Sequence, residues 1–143
     1  MDFSAQQIFS DDQAITASTD STNVIDLGVA GTPYGAAAPL NQDVGKGSKV
    51  PLLVQVTEAF DNLTSLEIKV STGSTNALGT TIVSQTILLA DLVVGKQISI
   101  DVLPNGITER YLGIEYVVTG TAPTTGKITA GITMGNQTNV TGA

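Results

Sequence analysis

The segment from residue 108 to residue 119 constrains the fold most strongly, because apolar side chains recur in it at every second position. A β-strand points successive side chains to opposite faces, so this spacing predicts a strand with one apolar face. We interpret the segment as a central strand, for which the rest of the chain supplies partners. The residues expected on its apolar face are Leu112, Ile114, Tyr116 and Val118.

The same alternation recurs in other short segments, which are separated by stretches rich in Gly, Pro, Asn, Ser and Thr. No helical period extends beyond a turn or two. The pattern predicts about seven or eight short strands with antiparallel pairing, which is typical of an all-β sandwich or barrel. Four further sets are expected to share a face: Leu52, Val54 and Val56; Leu66, Ile68 and Val70; Ile98, Ile100 and Val102; and Ile128, Ala130, Ile132 and Met134.

The 143 residues fit a single domain, and a chain of this length can bury a substantial core. We divide it into an N-terminal segment of residues 1–22, which packs on or extends from the domain, a β-sandwich domain of residues 23–134, and a polar tail of residues 135–143. Within the domain, the alternation disappears over residues 29–49. A loop of this length in a compact domain is typically functional or ordered by a partner.

The charge and hydropathy of the chain argue against two classes of partner, nucleic acids and membranes. The chain carries 13 acidic and 6 basic residues, and its net charge of −7 repels phosphate backbones, so no nucleic-acid partner is predicted. The longest apolar runs, such as residues 87–90, are far shorter than a membrane span, so no membrane partner is predicted. Residues 1–10 lack the basic and apolar regions of a signal peptide, which favours a soluble product made in a cytoplasm.

The sequence lacks the residues of the common catalytic sites. It has no histidine and no cysteine, which excludes the Ser-His-Asp and Cys-His forms of nucleophilic catalysis, thiolate metal sites and disulfide bonds. Carboxylate pairs such as Asp11 with Asp12, or Glu109 with Glu115, could in principle serve glycoside hydrolysis. Glycosidase clefts normally need aromatic platforms, and only 4% of the residues are aromatic, with no tryptophan. We therefore predict that the protein is not an enzyme and has no catalytic residues.

Two motifs superficially indicate ligand sites. Gly45-Lys-Gly-Ser48 resembles a phosphate-binding loop, but Leu40 occupies the position of the first glycine, and no helix is predicted to follow. We interpret this motif as a surface loop. Asp11, Asp12, Asp20 and Asp26 lack the spacing of a calcium-binding loop and fit caps and turns better. No cofactor site and no metal site is predicted.

Arg110 is the single arginine of the chain and lies in the central-strand segment. One interpretation is a surface ion pair with Glu109 or with an acidic residue on a neighbouring strand, worth about 0–1 kcal/mol. The other is a bidentate anchor at a subunit interface, where arginine is enriched. The sequence leaves both open.

Five stretches of the sequence, in the order in which they occur along the chain, carry a family resemblance. They are Phe9-Ser-Asp-Asp-Gln-Ala-Ile-Thr16, Asn23-Val-Ile-Asp-Leu-Gly28, Asp43-Val-Gly-Lys-Gly47 leading into Pro51-Leu-Leu-Val-Gln-Val56, Thr108-Glu-Arg-Tyr-Leu112 and Ile128-Thr-Ala-Gly131. Together they span most of the chain, and their combination resembles the small capsid cement (decoration) proteins of tailed, podovirus-like bacteriophages.

This resemblance implies a single-domain antiparallel β-sandwich of the jelly-roll type. It also implies a homotrimer that binds the outer face of the capsid and bridges neighbouring major capsid proteins. The expected location is the virion, after synthesis in the host cytoplasm. The absence of cysteine suits assembly in a reducing compartment.

Large apolar side chains in turn-rich sequence are candidates for the docking contacts. We expect Phe3, Ile8 and Phe9 in the N-terminal segment, and Tyr34 and Leu40 in the long loop, to contact the shell or a sister subunit. The alternative for the three N-terminal residues is that they cover the core of their own subunit.

Two other functions are compatible with a β-sandwich, because fold does not determine function. One is a carbohydrate-binding or adhesin-like module, for which Tyr34, Phe60, Tyr111 and Tyr116 are the candidate stacking residues. The other is a tail or baseplate accessory protein of the same virion.

Overall fold

The computed structural model describes residues 3–39, 49–103 and 105–135. Nine β-strands and one short 3-10 helix form the regular structure of that part of the chain. The strands are β1 (Phe3–Ala14), β2 (Thr19–Asp20), β3 (Ile25–Asp26), β4 (Leu52–Glu58), β5 (Leu63–Gly73), β6 (Thr80–Leu88), β7 (Gln97–Ile100), β8 (Tyr111–Gly120) and β9 (Lys127–Thr133), and the 3-10 helix, Leu89–Asp91, follows β6.

The strands form two antiparallel sheets that enclose one apolar core. The first sheet has the order β1-β9-β4-β7, and the second has the order β2-β8-β5-β6, with β3 also paired to β8. The predicted all-β, single-domain antiparallel β-sandwich is therefore confirmed. The first described strand pairs with the last, and the chain crosses repeatedly between the sheets. The jelly-roll type stays a prediction.

Strand β8 lies inside the second sheet, between β5 on one side and β2 and β3 on the other, as predicted for a central strand. Its residues Leu112, Ile114 and Tyr116 are buried on the core side. The apolar faces of β4 and β5 are also buried, and each large aliphatic side chain contributes roughly 1.5–3 kcal/mol when it leaves water. The alternation in the sequence therefore identified the inward face of these strands.

Two side chains that were expected to share a strand face lie beyond the strands. Met134 is 94% exposed, because β9 ends at Thr133, where its partner β1 begins at Phe3. Val102 is also exposed, because β7 ends at Ile100, opposite the first residue of β4. In both cases the end of the neighbouring strand sets the limit, and a single run of alternating residues does not contain that information.

Residues 3–14 of the predicted N-terminal segment form β1, an edge strand of the first sheet. Phe9 and Ser10 are fully buried, and Ser10 Oγ lies 2.8 Å from the hydroxyl of Tyr116 on β8. Burial raises the pKa of the Tyr116 phenol. The buried hydrogen bond joins the two sheets, and β1 is part of the sandwich itself.

The connections between strands divide the sandwich into two ends. At the short-loop end, brief connections cross between the sheets, and the Asp61 carboxylate accepts hydrogen bonds from the backbone N–H groups of Thr124 (2.6 Å) and Thr125 (3.0 Å). At the long-loop end lie the start of β1 and the end of β9. The short-loop connections are residues 15–18, 59–62, 89–96 and 121–126, and the described residues at the long-loop end are 27–39, 49–51, 74–79, 101–103 and 105–110.

Candidate interaction surfaces

Arg110 forms a bidentate ion pair with Asp26 of the neighbouring strand β3. Its Nε lies 2.8 Å from Asp26 Oδ1, and its Nη2 lies 2.8 Å from Asp26 Oδ2. The guanidinium carbon lies 5.1 Å from the centre of the Tyr111 ring, within cation–π range. The structure therefore contains the ion pair with an acid on a neighbouring strand. The interface role of Arg110 stays a prediction.

This ion pair, which we call the Arg110–Asp26 clamp, fixes the root of the long loop. The backbone N–H of Leu27 donates to the carbonyl of Arg110 at 2.8 Å, and that of Gly28 donates to Asp26 Oδ1 at 2.8 Å. Gly28 has φ of +85°, which a residue with a side chain rarely adopts. The loop therefore leaves β3 in a defined direction.

Three carboxylates that accept hydrogen bonds from other parts of the fold have lowered pKa values. The Arg110 guanidinium and the Gly28 N–H together lower the pKa of Asp26 from 3.8 to about 2. The Thr57 hydroxyl and Lys127 lower the pKa of Asp12, and hydrogen bonds from Thr124 and Thr125 lower that of Asp61. The charged form of each carboxylate is the one that the fold stabilises.

We expect the fold to lose thermal stability as the pH falls from about 4 to about 2. A carboxyl whose pKa is lower in the folded state binds fewer protons there than in the unfolded state. Its contribution is therefore fully present above pH 3.8 and is lost as the pH falls through about 2, the folded pKa of Asp26. Thermal unfolding followed by circular dichroism between pH 2 and pH 7 measures the slope.

Asp26→Asn is expected to reduce stability near pH 7 and to flatten this acid slope. Asp20→Asn is the matched control, because Asp20 is exposed and its side chain makes no ion pair within the described residues. An unchanged slope in Asp26→Asn would show that the clamp does not contribute to the acid response.

Tyr34 is fully exposed at the tip of a turn on the long loop. The backbone N–H of Ala36 donates to the carbonyl of Pro33 at 3.0 Å, and Gly35 has φ of +81°, as in a type II turn. Val29, which follows the clamp on the same loop, is 74% exposed. The loop therefore presents two apolar side chains to solvent from a fixed root. Leu40, the other loop residue predicted to dock, lies outside the described residues.

The three N-terminal candidates have different environments. Phe9 is enclosed in the core of its own domain, so the expectation that its side chain docks on a partner is corrected. Phe3 and Ile8 are half-buried on β1. The Phe3 ring lies against Gly131 of β9, where an added Cβ would stand 3.0 Å from its Cδ1. A docking role for Phe3 and Ile8 stays a prediction.

Several exposed apolar side chains were not among the predicted contacts. Val29, Val102 and Met134 lie with Tyr34 at the long-loop end. Val93 and Val94 are exposed at the short-loop end, in the connection after the 3-10 helix. The sequence signal that could have identified these side chains, except Val102, is an apolar residue beside a turn that contains glycine, as in Val93-Val94-Gly95.

An open cleft of about 490 Å³ lies between β6 and β7, the adjacent edge strands of the two sheets. Its lining is mainly polar and contains no aromatic side chain. Of the four rings considered for sugar stacking, Phe60 and Tyr116 are buried. Tyr111 lies under Arg110. A shared aromatic platform for a carbohydrate is therefore not assembled among the described residues. Residues lining the cleft are Gln85, Thr86, Ile87, Leu88, Asp91, Lys96, Gln97, Ile98 and Ser99.

Within the described residues, no group of three or more acidic, histidine or cysteine side chains is placed to hold a metal ion. No helix in the same ranges has the length and hydropathy of a membrane span.

The described residues form a small antiparallel β-sandwich that displays apolar side chains on a clamped loop. Comparison with known proteins relates this chain to bacteriophage proteins. The family model described as Bbp16 matches residues 9–132. This range covers most of the chain, which therefore belongs to the Bbp16 family.

Among solved structures, the chain is similar to the crystal structure of PBSX exported protein XepA, with a TM-score of 0.43 and 14% sequence identity. The similarity covers 96% of this chain and 40% of that one, so this chain spans about two fifths of the length of the solved structure. A comparison with curated proteins found no match.

Proposed function

We propose that the protein is a capsid cement protein that binds the outer face of a phage shell and bridges neighbouring major capsid proteins. The observation that carries the proposal is the long loop, which holds Tyr34 and Val29 in solvent while the Arg110–Asp26 clamp fixes its root. Exposed aromatic residues on a rigid scaffold are typical binding anchors. The phage-related family supports a structural role in the virion.

The proposed mechanism is stabilisation by binding. A protein that binds the intact lattice, and not the ruptured shell, lowers the free energy of the intact form. Repeated sites on a shell allow weak individual contacts to act together when the protein is multivalent. We propose a homotrimer as the multivalent unit, located on the outer capsid surface after synthesis in the host cytoplasm. The proposed activity needs no catalytic group and no cofactor.

Shells that lack the protein provide the test. The double variant Val29→Ser with Tyr34→Ser is expected to bind such shells at least about tenfold more weakly than wild type, because truncating an aromatic anchor typically has an effect of this size. Co-sedimentation over a concentration series measures the binding. The matched control is Val93→Ser with Val94→Ser, which removes exposed apolar side chains at the opposite end of the sandwich.

Equal binding by wild type and the long-loop variant would contradict the proposed contact. Shells that resist heat and low salt equally well with and without bound protein would contradict cementing. Light scattering of the purified chain tests the trimer, for which the expected mass is three times that of the chain.

A further inference from the structure

Among the described strands, the sandwich has four open edges, and one of them differs from the other three. The edges are β1 and β7 in the first sheet, and β6 and the pair β2 and β3 in the second. An open edge presents unpaired backbone groups to which another strand can add. Natural proteins usually protect such edges with bulges, charged side chains or very short strands.

Three of the edges carry these protective features. Strand β1 has register shifts at three places along β9 and carries Asp11 and Asp12, the latter with φ of +48°. Strands β2 and β3 have two residues each and end at Asp20 and Asp26. Strand β7 has only four residues.

Strand β6 lacks these features. It has nine residues, Thr80–Leu88, with no charged residue, proline or glycine, and it pairs with β5 along its length with one irregularity. Nothing in the described part of the chain pairs with its outer side. The exposed side chains are those of Thr80, Thr81, Ser84, Gln85, Thr86 and Leu88.

We propose that β6 pairs antiparallel with β6 of a second copy of this chain, about a two-fold axis near Ser84. The chain carries a net charge of −7, so two copies repel each other over most of their surface. At β6 no charged side chain would face its counterpart, whereas like charges directly opposite each other destabilise a strand pair. The absence of charge therefore makes this edge fit a second copy.

The pairing joins the β2-β8-β5-β6 paths of two copies into one continuous sheet. Each copy uses the same edge, so the contact is isologous, whereas a closed trimer needs two different surfaces. Pairing through β6 would therefore link the proposed trimers and would not build them. A contact between nine-residue strands is at the small end of protein interfaces, so it should depend on concentration.

Ser84→Glu is the variant that tests the pairing. Ser84 lies opposite Lys69 of β5, so the new carboxylate faces a cation within its own chain. Across the two-fold axis, however, it faces a second carboxylate. Thr16→Glu adds the same charge in the exposed turn between β1 and β2 and serves as the matched control.

Analytical ultracentrifugation of the purified protein, without shells, over a concentration series measures the association. We expect the mass of the smallest wild-type species to double with concentration. The dissociation constant of this step should rise at least about tenfold in Ser84→Glu and should be unchanged in Thr16→Glu. Because shells are omitted, the result is independent of the proposed cement function.

Hydrogen exchange of the β6 backbone amides in wild type provides the second measurement. Slower exchange at high concentration supports the pairing, even if Ser84→Glu unfolds. The proposal is overturned if wild type shows no doubling at millimolar concentration. It is also overturned if a folded Ser84→Glu associates as well as wild type, or if β6 exchange does not depend on concentration.

Discussion

Replacing Phe9 with alanine is expected to lower the free energy of unfolding by about 3–5 kcal/mol. The side chain is fully buried in the core, so truncation removes its apolar contacts and leaves a cavity that the surrounding strands can close only in part. Urea unfolding, followed by circular dichroism, measures the difference from wild type.

Phe3→Ala is the matched control for this prediction, because Phe3 lies on the same strand but is only half-buried. Its loss of stability should be less than half that of Phe9→Ala. Equal losses would mean that Phe9 does not occupy the core position described above. Deleting the first nine residues would remove Phe9 together with much of β1, so Phe3→Ala is the sharper probe of docking by the N-terminal strand.

The second large effect is expected at Gly126, in the connection between β8 and β9. Gly126 has φ of +134°, and an added Cβ would clash with the Phe60 ring, standing 2.6 Å from its Cε1. Its carbonyl also accepts a hydrogen bond from the backbone N–H of Ile15 at 3.0 Å, so the backbone cannot shift freely. Gly126→Ala should therefore lower the free energy of unfolding by roughly 2–4 kcal/mol through backbone strain and overpacking.

Gly79→Ala controls for the loss of a glycine. Gly79 lies in the β5–β6 hairpin connection, its φ is outside the left-handed region, and an added Cβ there would meet no atom within 4 Å. The same denaturation measurement should show a change of less than about 1 kcal/mol. Similar losses in both variants would argue against the contact between Gly126 and Phe60.

The inward-facing strands could be predicted because their alternation is local. β8 shows the pattern in its own sequence, and Leu112, Ile114 and Tyr116 are buried as expected. Strand β1 could not be read in this way. Its register shifts along β9 interrupt the period of two, and the acidic pair Asp11-Asp12 resembles a turn. The burial of Phe9 follows from pairing with residues more than a hundred positions away.

The candidate contacts could be predicted only in part, for the same reason. The exposure of Tyr34 follows from local turn chemistry, because Gly35 allows the type II turn that places Tyr34 at its tip. The partner of Arg110 could not be identified, because Asp26 is 84 residues away in sequence. The pairing of β3 with β8 brings Asp26 close to Arg110. No sequence pattern within β3 or β8 specifies this pairing.

The pairing of β1 with β9 also has a consequence for the order of events during synthesis. Phe3 pairs with Thr133, so the first of the nine described strands to be synthesised pairs with the last of them. Contacts this distant in sequence slow folding, because a long loop must close before they form. The second sheet can assemble β5 and β6 as soon as their hairpin is made, whereas β1 remains without its neighbour until translation of the sandwich is nearly complete.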